Sequence, residues 1–581
     1  MTDAPVTLAQ PEDAHTQAEW EAATAAVLRK AGRLTESDPD SAVWAKLTRK
    51  TLDDIEITPL GLPGHAASGL RPSRVGAWDI RAIVADPNAK VANENALVDL
   101  DGGVTSLWLY AEEGTDLDAT LKGVLLDLAP VVLDAPTASV ETAKAFLKLA
   151  VEFHEDTNLG ADPLGAMLRD LPVAVDEAVD ELKELAELAT KNNIRAIVVD
   201  ATAAHDLGAS DAQELGWSIA VGVAYLRWLT DQGLSVEDAA KLIEFRYAAT
   251  DEQFPTIAKL RAARRLWSRV LELSGAGAAA QGQRQHAVTS RPMMTKYDPW
   301  VNMLRSCVAA FAAGVGGADS VTVLPFDTHL GLPDAFSRRI ARNTSALLIH
   351  ESHLGKVSDP AGGAYAIEKL TDDLARAGWA ELGLLEAAGG TTAGERSFRD
   401  RIDAVVAERE LQIALRKRPL TGLSEFPNLD ESLPQRKAYP AGARTAVPYG
   451  HAFEALRDNP AGAVFLATMG TVAAHTARAT FASNLFAAGG IASVNPGRAD
   501  DVDAVLAAYR GPDGGQPVVC LTGADKAYAE WGADLVKALR DAGARWIILA
   551  GKPVDGLDTD DSCAMGVNAL DFLNRTREKL A

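Results

Sequence analysis

The sequence predicts an α/β protein made of a large parallel sheet or barrel followed by a smaller, flavodoxin-like doubly wound domain. First, short apolar runs alternate with amphipathic helical patterns from about residue 75 to residue 430, which is the pattern of parallel α/β structure. Second, the segment 434–450 is rich in proline and lacks apolar periodicity, as expected of an interdomain linker. Third, the alternation resumes over a shorter span after residue 450, which indicates a second α/β domain.

Residues 1–70 are predicted to form an amino-terminal helical arm. One helical pattern runs from Glu19 to Leu28, and the chain is then polar and rich in proline as far as Pro63. Because such a segment has little apolar surface of its own, we expect it to pack on something larger.

Residues 71–433 are predicted to form repeated strand and helix units. Apolar residues recur at helical spacing from Val175 to Leu188, Asn192 and Asn193 break this helix, and an apolar strand follows. The runs that predict strands are Ser106–Tyr110, Val131–Leu133, Ile194–Val199, Val321–Leu324 and Leu347–Ile349. A (β/α)8 barrel would show about this number if some strands were missed, although periodicity alone does not count them.

The carboxyl-terminal domain is predicted to span residues 451–581 and to be doubly wound. Its predicted strands are Val464–Leu466, Ile491–Val494, Val518–Leu521 and Trp546–Leu549, with helices starting near His475, Asp501 and Tyr528. Domains of this type bind ligands at the carboxyl ends of their strands.

Composition and charge exclude several classes of partner. The chain has 581 residues, of which 47% are hydrophobic and 24% charged, as in ordinary globular proteins. Its 80 acidic and 57 basic residues give a net charge of -23, which repels nucleic acids and anionic membranes. The cysteines, Cys307, Cys520 and Cys563, form no CxxC pair, so we expect reduced thiols. The amino terminus has no signal-peptide pattern, so the expected location is cytoplasmic.

Three segments carry a resemblance to a known family: Ser337–Leu370, Ile257–Trp267, and the run from Thr289 through Tyr297 to Cys307. Together with their neighbours they resemble the acyl-CoA mutases that use adenosylcobalamin, methylmalonyl-CoA mutase above all. The resemblance covers most of the chain. It implies a closed (β/α)8 barrel, a cobalamin-binding type of flavodoxin-like domain, and an arm that wraps a partner chain.

The cobalamin-binding motif of that family, Asp-x-His-x-x-Gly, is degenerate in this sequence. Its three positions hold Val472, Ala474 and Ala477. Valine cannot orient a cobalt-binding histidine, alanine cannot ligate cobalt, and the Ala477 methyl group stands where glycine would let the nucleotide tail pass. His475 lies one position beyond the ligand slot, and the weaker alternative is that a shifted loop offers it to cobalt. The favoured interpretation places His475 in the first turn of a helix.

The barrel positions that carry catalysis in the family are also altered. The family pairs a tyrosine with a histidine at the end of a middle strand, whereas here Ala204 precedes His205. His205 is therefore either a relic of a thioester contact or an ordinary loop histidine, and the second is favoured. The arginine and serine that the family uses to grip the CoA ester correspond to Leu242 and Glu244. We therefore expect no catalytic residue in this chain.

Two other motifs are discounted. The GxGxxA pattern at 275–280 follows a helical pattern rather than a strand, so it lacks the context of a dinucleotide site. His350 and His353 miss the HExxH spacing by one residue, and we expect no metal site.

The resemblance and the degenerate motif together predict a small, non-catalytic subunit of a heterodimeric mutase. The complex would interconvert methylmalonyl-CoA and succinyl-CoA, and adenosylcobalamin would be bound by the catalytic large subunit and not by this chain. Two alternatives stay open. The chain could be an active mutase that uses His205 and a displaced His475, or a binding module that senses acyl-CoA.

Overall fold

A computed structural model describes residues 14–64, 74–111, 114–135, 140–440 and 443–581 of the chain. Residues 1–13 and 65–70 of the predicted arm, and residues 441–442 of the predicted linker, lie outside the described residues. None of the helices in these described ranges has the length and apolarity needed to cross a membrane.

The described part of the arm is a small helical unit joined to a hairpin. Its elements are α1 (Gln17–Lys30), α2 (Ala42–Leu47), and the antiparallel pair β1 (Arg49–Lys50) and β2 (Glu56–Ile57). Thr16 closes the start of α1 with a capping box, and the two helices share a cluster of their own, formed by Ala25, Leu28, Leu34 and Val43. The hairpin instead joins the barrel, because Ile55 packs into the barrel core.

The second unit is a closed barrel of eight parallel strands in the order β10-β3-β4-β5-β6-β7-β8-β9, which confirms the predicted fold class. The strands are β3 (Asp79–Val84), β4 (Ser106–Tyr110), β5 (Val131–Asp134), β6 (Asn158–Ala161), β7 (Arg195–Asp200), β8 (Ile243–Ala249), β9 (Gln285–Thr289) and β10 (Ser320–Thr322). The register joins Arg81 to Ser106 and Asp200 to Arg246 across neighbouring strands. The barrel interior is consequently polar at several levels.

Helices surround the barrel. They are α3 (Ala89–Asp101), α4 (Leu117–Thr120), α5 (Val140–Leu147), α6 (Pro163–Leu168), α7 (Val175–Lys191), α8 (Thr202–Asp206), α9 (Asp211–Asp231), α10 (Val236–Lys241), α11 (Gln253–Leu273), α12 (Val301–Gly316) and α13 (Ala335–His350). Two long helices, α14 (Tyr365–Ala387) and α15 (Gly390–Ala414), follow the last strand. Helix α14 packs on α9 and α11, and α15 packs on α9 and α14.

The predicted strand at Leu347–Ile349 is wrong, since these residues form the last turn of α13. Leu348 is buried while Leu347 is exposed, so the run is the edge of an amphipathic helix. A short apolar run by itself does not distinguish a strand from a helix segment.

The carboxyl-terminal domain is a parallel sheet of five strands in the order β12-β11-β13-β14-β15, which is the flavodoxin-like order. Its elements are α16 (His451–Asp458), β11 (Ala461–Thr468), α17 (Val472–Ala488), β12 (Ile491–Val494), α18 (Val502–Tyr509), β13 (Val518–Thr522), α19 (Asp525–Asp541), β14 (Trp546–Ala550), β15 (Asp561–Cys563) and α20 (Ala569–Leu580). This domain confirms the second part of the predicted fold.

The segment between the domains runs along the barrel and contacts it. The amide of Leu332 donates to the carbonyl of Lys437 at 2.7 Å, and the amide of Tyr449 donates to the carbonyl of Pro292 at 2.8 Å. The domains also touch directly, since Lys296 Nζ lies 2.6 Å from a carboxylate oxygen of Asp458 on α16. The predicted linker is therefore seated on the barrel over the segments that follow β9 and β10.

Candidate functional site

The lower layer of the barrel interior is a buried ion pair. Arg81 on β3 donates to Glu244 on β8 at 2.6 Å, and it also donates to Ser106 on β4 at 3.1 Å. Although burial opposes ionisation, Arg81 and Arg284 hold the pKa of the Glu244 carboxyl below its ordinary value. Glu244 therefore neutralises interior arginines, and Leu242 is buried immediately before β8.

The middle layer is built around Arg246 of β8. Its guanidinium lies over the Trp108 ring at 3.9 Å from the ring centroid, and its Nε donates to His286 Nδ1 at 3.1 Å. Burial, together with Arg81 and Arg246, holds the pKa of His286 well below its ordinary value, so the imidazole is neutral. Because Nδ1 accepts, Nε2 carries the proton and donates to Thr322 Oγ1 at 2.8 Å.

Arg444, from the segment between the domains, fills the carboxyl-terminal mouth of the barrel. It donates to Asp200 at 2.5 Å and also to Asp134, and its guanidinium lies 5.3 Å from the Trp108 ring centroid. Arg246 and Arg169 each approach the same Asp200 oxygen at 2.7 Å. Although burial opposes ionisation, Arg169, Arg246 and Arg444 hold the pKa of Asp200 well below its ordinary value. The carboxylates of Asp134 and Asp200 in the mouth are thus paired with arginines of this chain.

Two recesses lie at opposite ends of the barrel and share no lining residue. A cavity of about 140 Å³ lies beneath Tyr439 and Arg444 at the carboxyl ends of the strands, where (β/α)8 enzymes hold their substrates. This cavity is smaller than the ~300–1,000 Å³ of a typical ligand pocket. A recess of about 730 Å³ opens at the amino ends, but there Arg284 is paired with Asp156 at 2.9 Å.

His205 lies on α8 and is buried. Its Nε2 is 2.7 Å from Ser290 Oγ, and its Nδ1 is 3.6 Å from a carboxylate oxygen of Glu214. Glu214 in turn accepts from Lys259 Nζ at 2.6 Å, and the ring of Tyr449 meets the imidazole edge to face. Nε2 of His205 is therefore hydrogen-bonded within the protein, and the aromatic neighbour of the imidazole comes from the segment between the domains.

The three degenerate motif positions all fall in α17. Val472 is the first residue of the helix, and Ala474 and Ala477 lie in its first two turns. His475 is 4% exposed, on the same buried face as Ala479. Helix α17 begins four residues after β11 ends, so this connection is a short turn. A cobalt ligand needs an accessible nitrogen, and within the described residues this turn presents none.

The groove beside these positions is occupied by Arg478 of α17. Its Nη1 donates to the carbonyl of Gly523 at 2.6 Å, and its guanidinium lies 4.8 Å from the Tyr528 ring centroid. A β-carbon on Gly551 would lie 3.6 Å from Cζ of Arg478, so the guanidinium covers this glycine. The Tyr528 hydroxyl donates to the carbonyl of Ala550 at 2.9 Å. The residues present at this edge of the sheet therefore do not fit a cobalamin.

The sequence analysis missed Arg444, Arg246 and His286. A signal for Arg246 existed, since Glu244 and Arg246 alternate with apolar residues in β8 and so point to one face of the strand. No pattern in the linker distinguished Arg444, which meets Asp134 only because the chain returns to the barrel.

Comparison with known proteins gives a consistent result over nearly the whole chain. The family model for methylmalonyl-CoA mutase matches residues 78–495. A methylmalonyl-CoA mutase small subunit from Streptomyces virginiae is 45% identical over 98% of this chain and 97% of its own length. Another, from Propionibacterium freudenreichii subsp. shermanii, is 34% identical over 100% of this chain and 97% of its own length.

A methylmalonyl-CoA mutase from Escherichia coli (strain K12) is 35% identical, over 38% of this chain and 31% of its own length. The full-length similarity is thus to proteins named as small subunits. With the eight-stranded barrel and the five-stranded sheet in place, these matches show that the chain belongs to the methylmalonyl-CoA mutase family.

Proposed function

We propose that this chain is the small, non-catalytic subunit of an adenosylcobalamin-dependent methylmalonyl-CoA mutase. The observation that carries the proposal is the filling of both candidate sites by the chain's own arginines. Arg444 closes the barrel mouth by pairing with Asp134 and Asp200, and Arg478 covers the groove at the carboxyl-terminal sheet. The small-subunit names of the full-length relatives support the same role.

The partner is a catalytic large subunit that supplies the cobalt-binding histidine and the acyl-CoA site. Adenosylcobalamin bound there supplies the radical chemistry by which methylmalonyl-CoA and succinyl-CoA are interconverted. No step of that reaction is assigned to a residue of this chain. Its role is to bury and stabilise the large subunit, as in obligate complexes with interfaces above about 2,000 Å².

Co-expression tests the proposal. This chain, tagged, is expressed with a full-length mutase chain that carries Asp-x-His-x-x-Gly, and we expect a one-to-one complex with one corrin per heterodimer. Replacing the motif histidine of the large chain abolishes turnover, whereas His475→Gln in this chain leaves turnover and corrin content unchanged. Corrin bound by this chain on its own, and lost in His475→Gln, would overturn the proposal.

A titration separates the structural role from the acyl-CoA sensor. Calorimetric titration of this chain with methylmalonyl-CoA or succinyl-CoA is expected to give no binding heat, because the mouth cavity is small and Arg284, in the larger recess at the amino ends of the strands, is paired with Asp156. Saturable heat that disappears on changing Arg284 would favour a sensor instead.

A further inference from the structure

Helix α12, on the outside of the barrel, is apolar on both of its faces. Its sequence, VNMLRSCVAAFAAGVG, contains a single charged residue, Arg305. Arg305 is 6% exposed and donates to the carbonyl of Thr421 at 2.7 Å and to Asn302 Oδ1 at 2.8 Å. The inner face, with Ala309 and Ala313, is buried against the barrel. The side chains that α12 turns outward are therefore uncharged.

The outward side chains form a continuous stripe. Trp300, Leu304 and Val308 recur every four residues, and Leu304 is 68% exposed. Cys307 is exposed in the same stripe. Residues at this spacing lie on one face of a helix.

The neighbouring helix α13 continues this surface. Its residues Phe336 and Leu347 are exposed large apolar side chains, and the two helices pack against each other. Phe326 joins the two helices at one end, with its ring centroid 4.9 Å from that of Trp300 and 6.1 Å from that of Phe336. We name this surface the α12–α13 face; it consists of Trp300, Leu304, Cys307, Val308, Phe336 and Leu347.

A helix that is apolar on all sides is normally buried, in a protein or in a membrane. With 16 residues, α12 is shorter than the ~20 residues needed to cross a bilayer. Helix α7, another outer helix, shows the usual pattern, since its sequence VDEAVDELKELAELATK is rich in charged residues. The α12–α13 face thus has the character of a surface that a partner protein covers.

The net charge of this chain indicates which kind of protein covers the α12–α13 face. A second copy of this chain would bring together two molecules that each carry a net charge of -23, and their mutual repulsion disfavours association. A different chain need not carry the same charge, and it can approach the outward side chains of α12, which are uncharged, without desolvating carboxylates. On α13 the exposed Arg339 borders the face, with its guanidinium 5.5 Å from the Phe336 ring centroid. Tryptophan and phenylalanine, both present in this face, are enriched in interface cores.

We infer that the α12–α13 face is a docking surface for the catalytic large subunit. This inference rests on the proposed function, which supplies the partner. It assigns to the interface a part of the barrel wall that is separate from the amino-terminal arm and distant in sequence from the segment that fills the mouth.

Cys307 makes the inference measurable in the unaltered protein. The chain has three cysteines; Cys307 is exposed, whereas Cys520 and Cys563 are buried. Because partial burial raises the pKa of the Cys307 thiol, N-ethylmaleimide labelling is run at about pH 8.5, where more of the thiolate forms. The extent of labelling at Cys307 is followed by peptide mass spectrometry.

We expect Cys307 to be labelled in this chain alone and to react at least about tenfold more slowly in the complex, because docking covers it. A one-to-one complex in which Cys307 reacts as fast as in the separate chain would overturn the inference and leave the proposed function standing. A thiol that is unreactive in the separate chain would overturn it as well. Failure to form any complex would instead count against the proposed function.

A charge placed in the face gives an independent test. Leu304→Glu, at an exposed position, is expected to weaken binding to the large subunit at least about tenfold. Val151→Glu is the matched control, since Val151 is 96% exposed and lies outside the face, and it should bind as the unaltered chain does. Circular dichroism checks that both variants fold. Equal affinities for a folded Leu304→Glu variant and for the control would contradict the inference.

Discussion

Replacing Arg444 by methionine tests whether the segment between the domains closes the barrel mouth. The guanidinium bridges Asp134 on β5 and Asp200 on β7, and methionine keeps much of the length of the side chain but no charge. Removing one partner of a buried ion pair costs about 3–5 kcal/mol. Asp200 would retain Arg169 and Arg246, each at 2.7 Å. Most of the lost free energy would therefore come from Asp134, which loses its contact with Arg444. We therefore expect a local destabilisation of about 2–3 kcal/mol.

Hydrogen exchange is the suitable assay, because a chain with two domains does not unfold in a single step. A loss of 2 kcal/mol corresponds to about 30-fold faster exchange of the protected amides, which should appear in β5 and β7 and not in the carboxyl-terminal sheet. The matched control is Lys437→Met, in the same segment, whose exposed Nζ lies 4.0 Å from Asp86. Exposed pairs contribute about 0–1 kcal/mol. Arg444→Met exchange rates no faster than those of Lys437→Met would refute the reasoning.

Three further predictions concern the arm, a helix contact and the degenerate motif. Burial and the nearby Asp211 raise the pKa of Asp53, which lies between β1 and β2, to about 6. Docking of the hairpin on the barrel is therefore most stable below about pH 4 and weakens as pH rises through 6, whereas the Asp53→Asn variant should dock equally from pH 5 to 8. Proteolysis of the arm that varies with pH in both proteins would contradict this. Gly314→Ala should destabilise α12 by about 1–3 kcal/mol, measured as faster hydrogen exchange of its amides, since the new β-carbon would clash with the Trp78 ring. Gly383→Ala, with open space around it, should be neutral or stabilising. Installing the motif as Val472→Asp, Ala474→His and Ala477→Gly should give no corrin absorbance after incubation with adenosylcobalamin, because these positions lie in helix α17 and not in an open loop. A red protein would show that residue identity alone limits binding.

The strands that the sequence predicted are those whose residues are apolar on both faces. Ser106–Tyr110 and Ile491–Val494 match β4 and β12 residue for residue, because each is a dense apolar run. The barrel strands β3, β6, β8 and β9 were missed. In β3, β8 and β9 the residues Arg81, Glu244, Arg246 and His286 interrupt the apolar character. Such residues are stable inside a barrel only when partners from other strands neutralise them, and those partners are not visible in a local window.

The sequence by itself determined the chemistry that is missing from the cobalamin motif. Valine at 472 and alanine at 474 and 477 lack the carboxylate, the imidazole and the free backbone that the motif uses, whatever the surrounding structure is. Only the tertiary structure decided what occupies the two sites. Arg444 meets Asp134 and Asp200 across 310 and 244 residues of chain, and a buried charge is stabilised by neighbours in space and not in sequence.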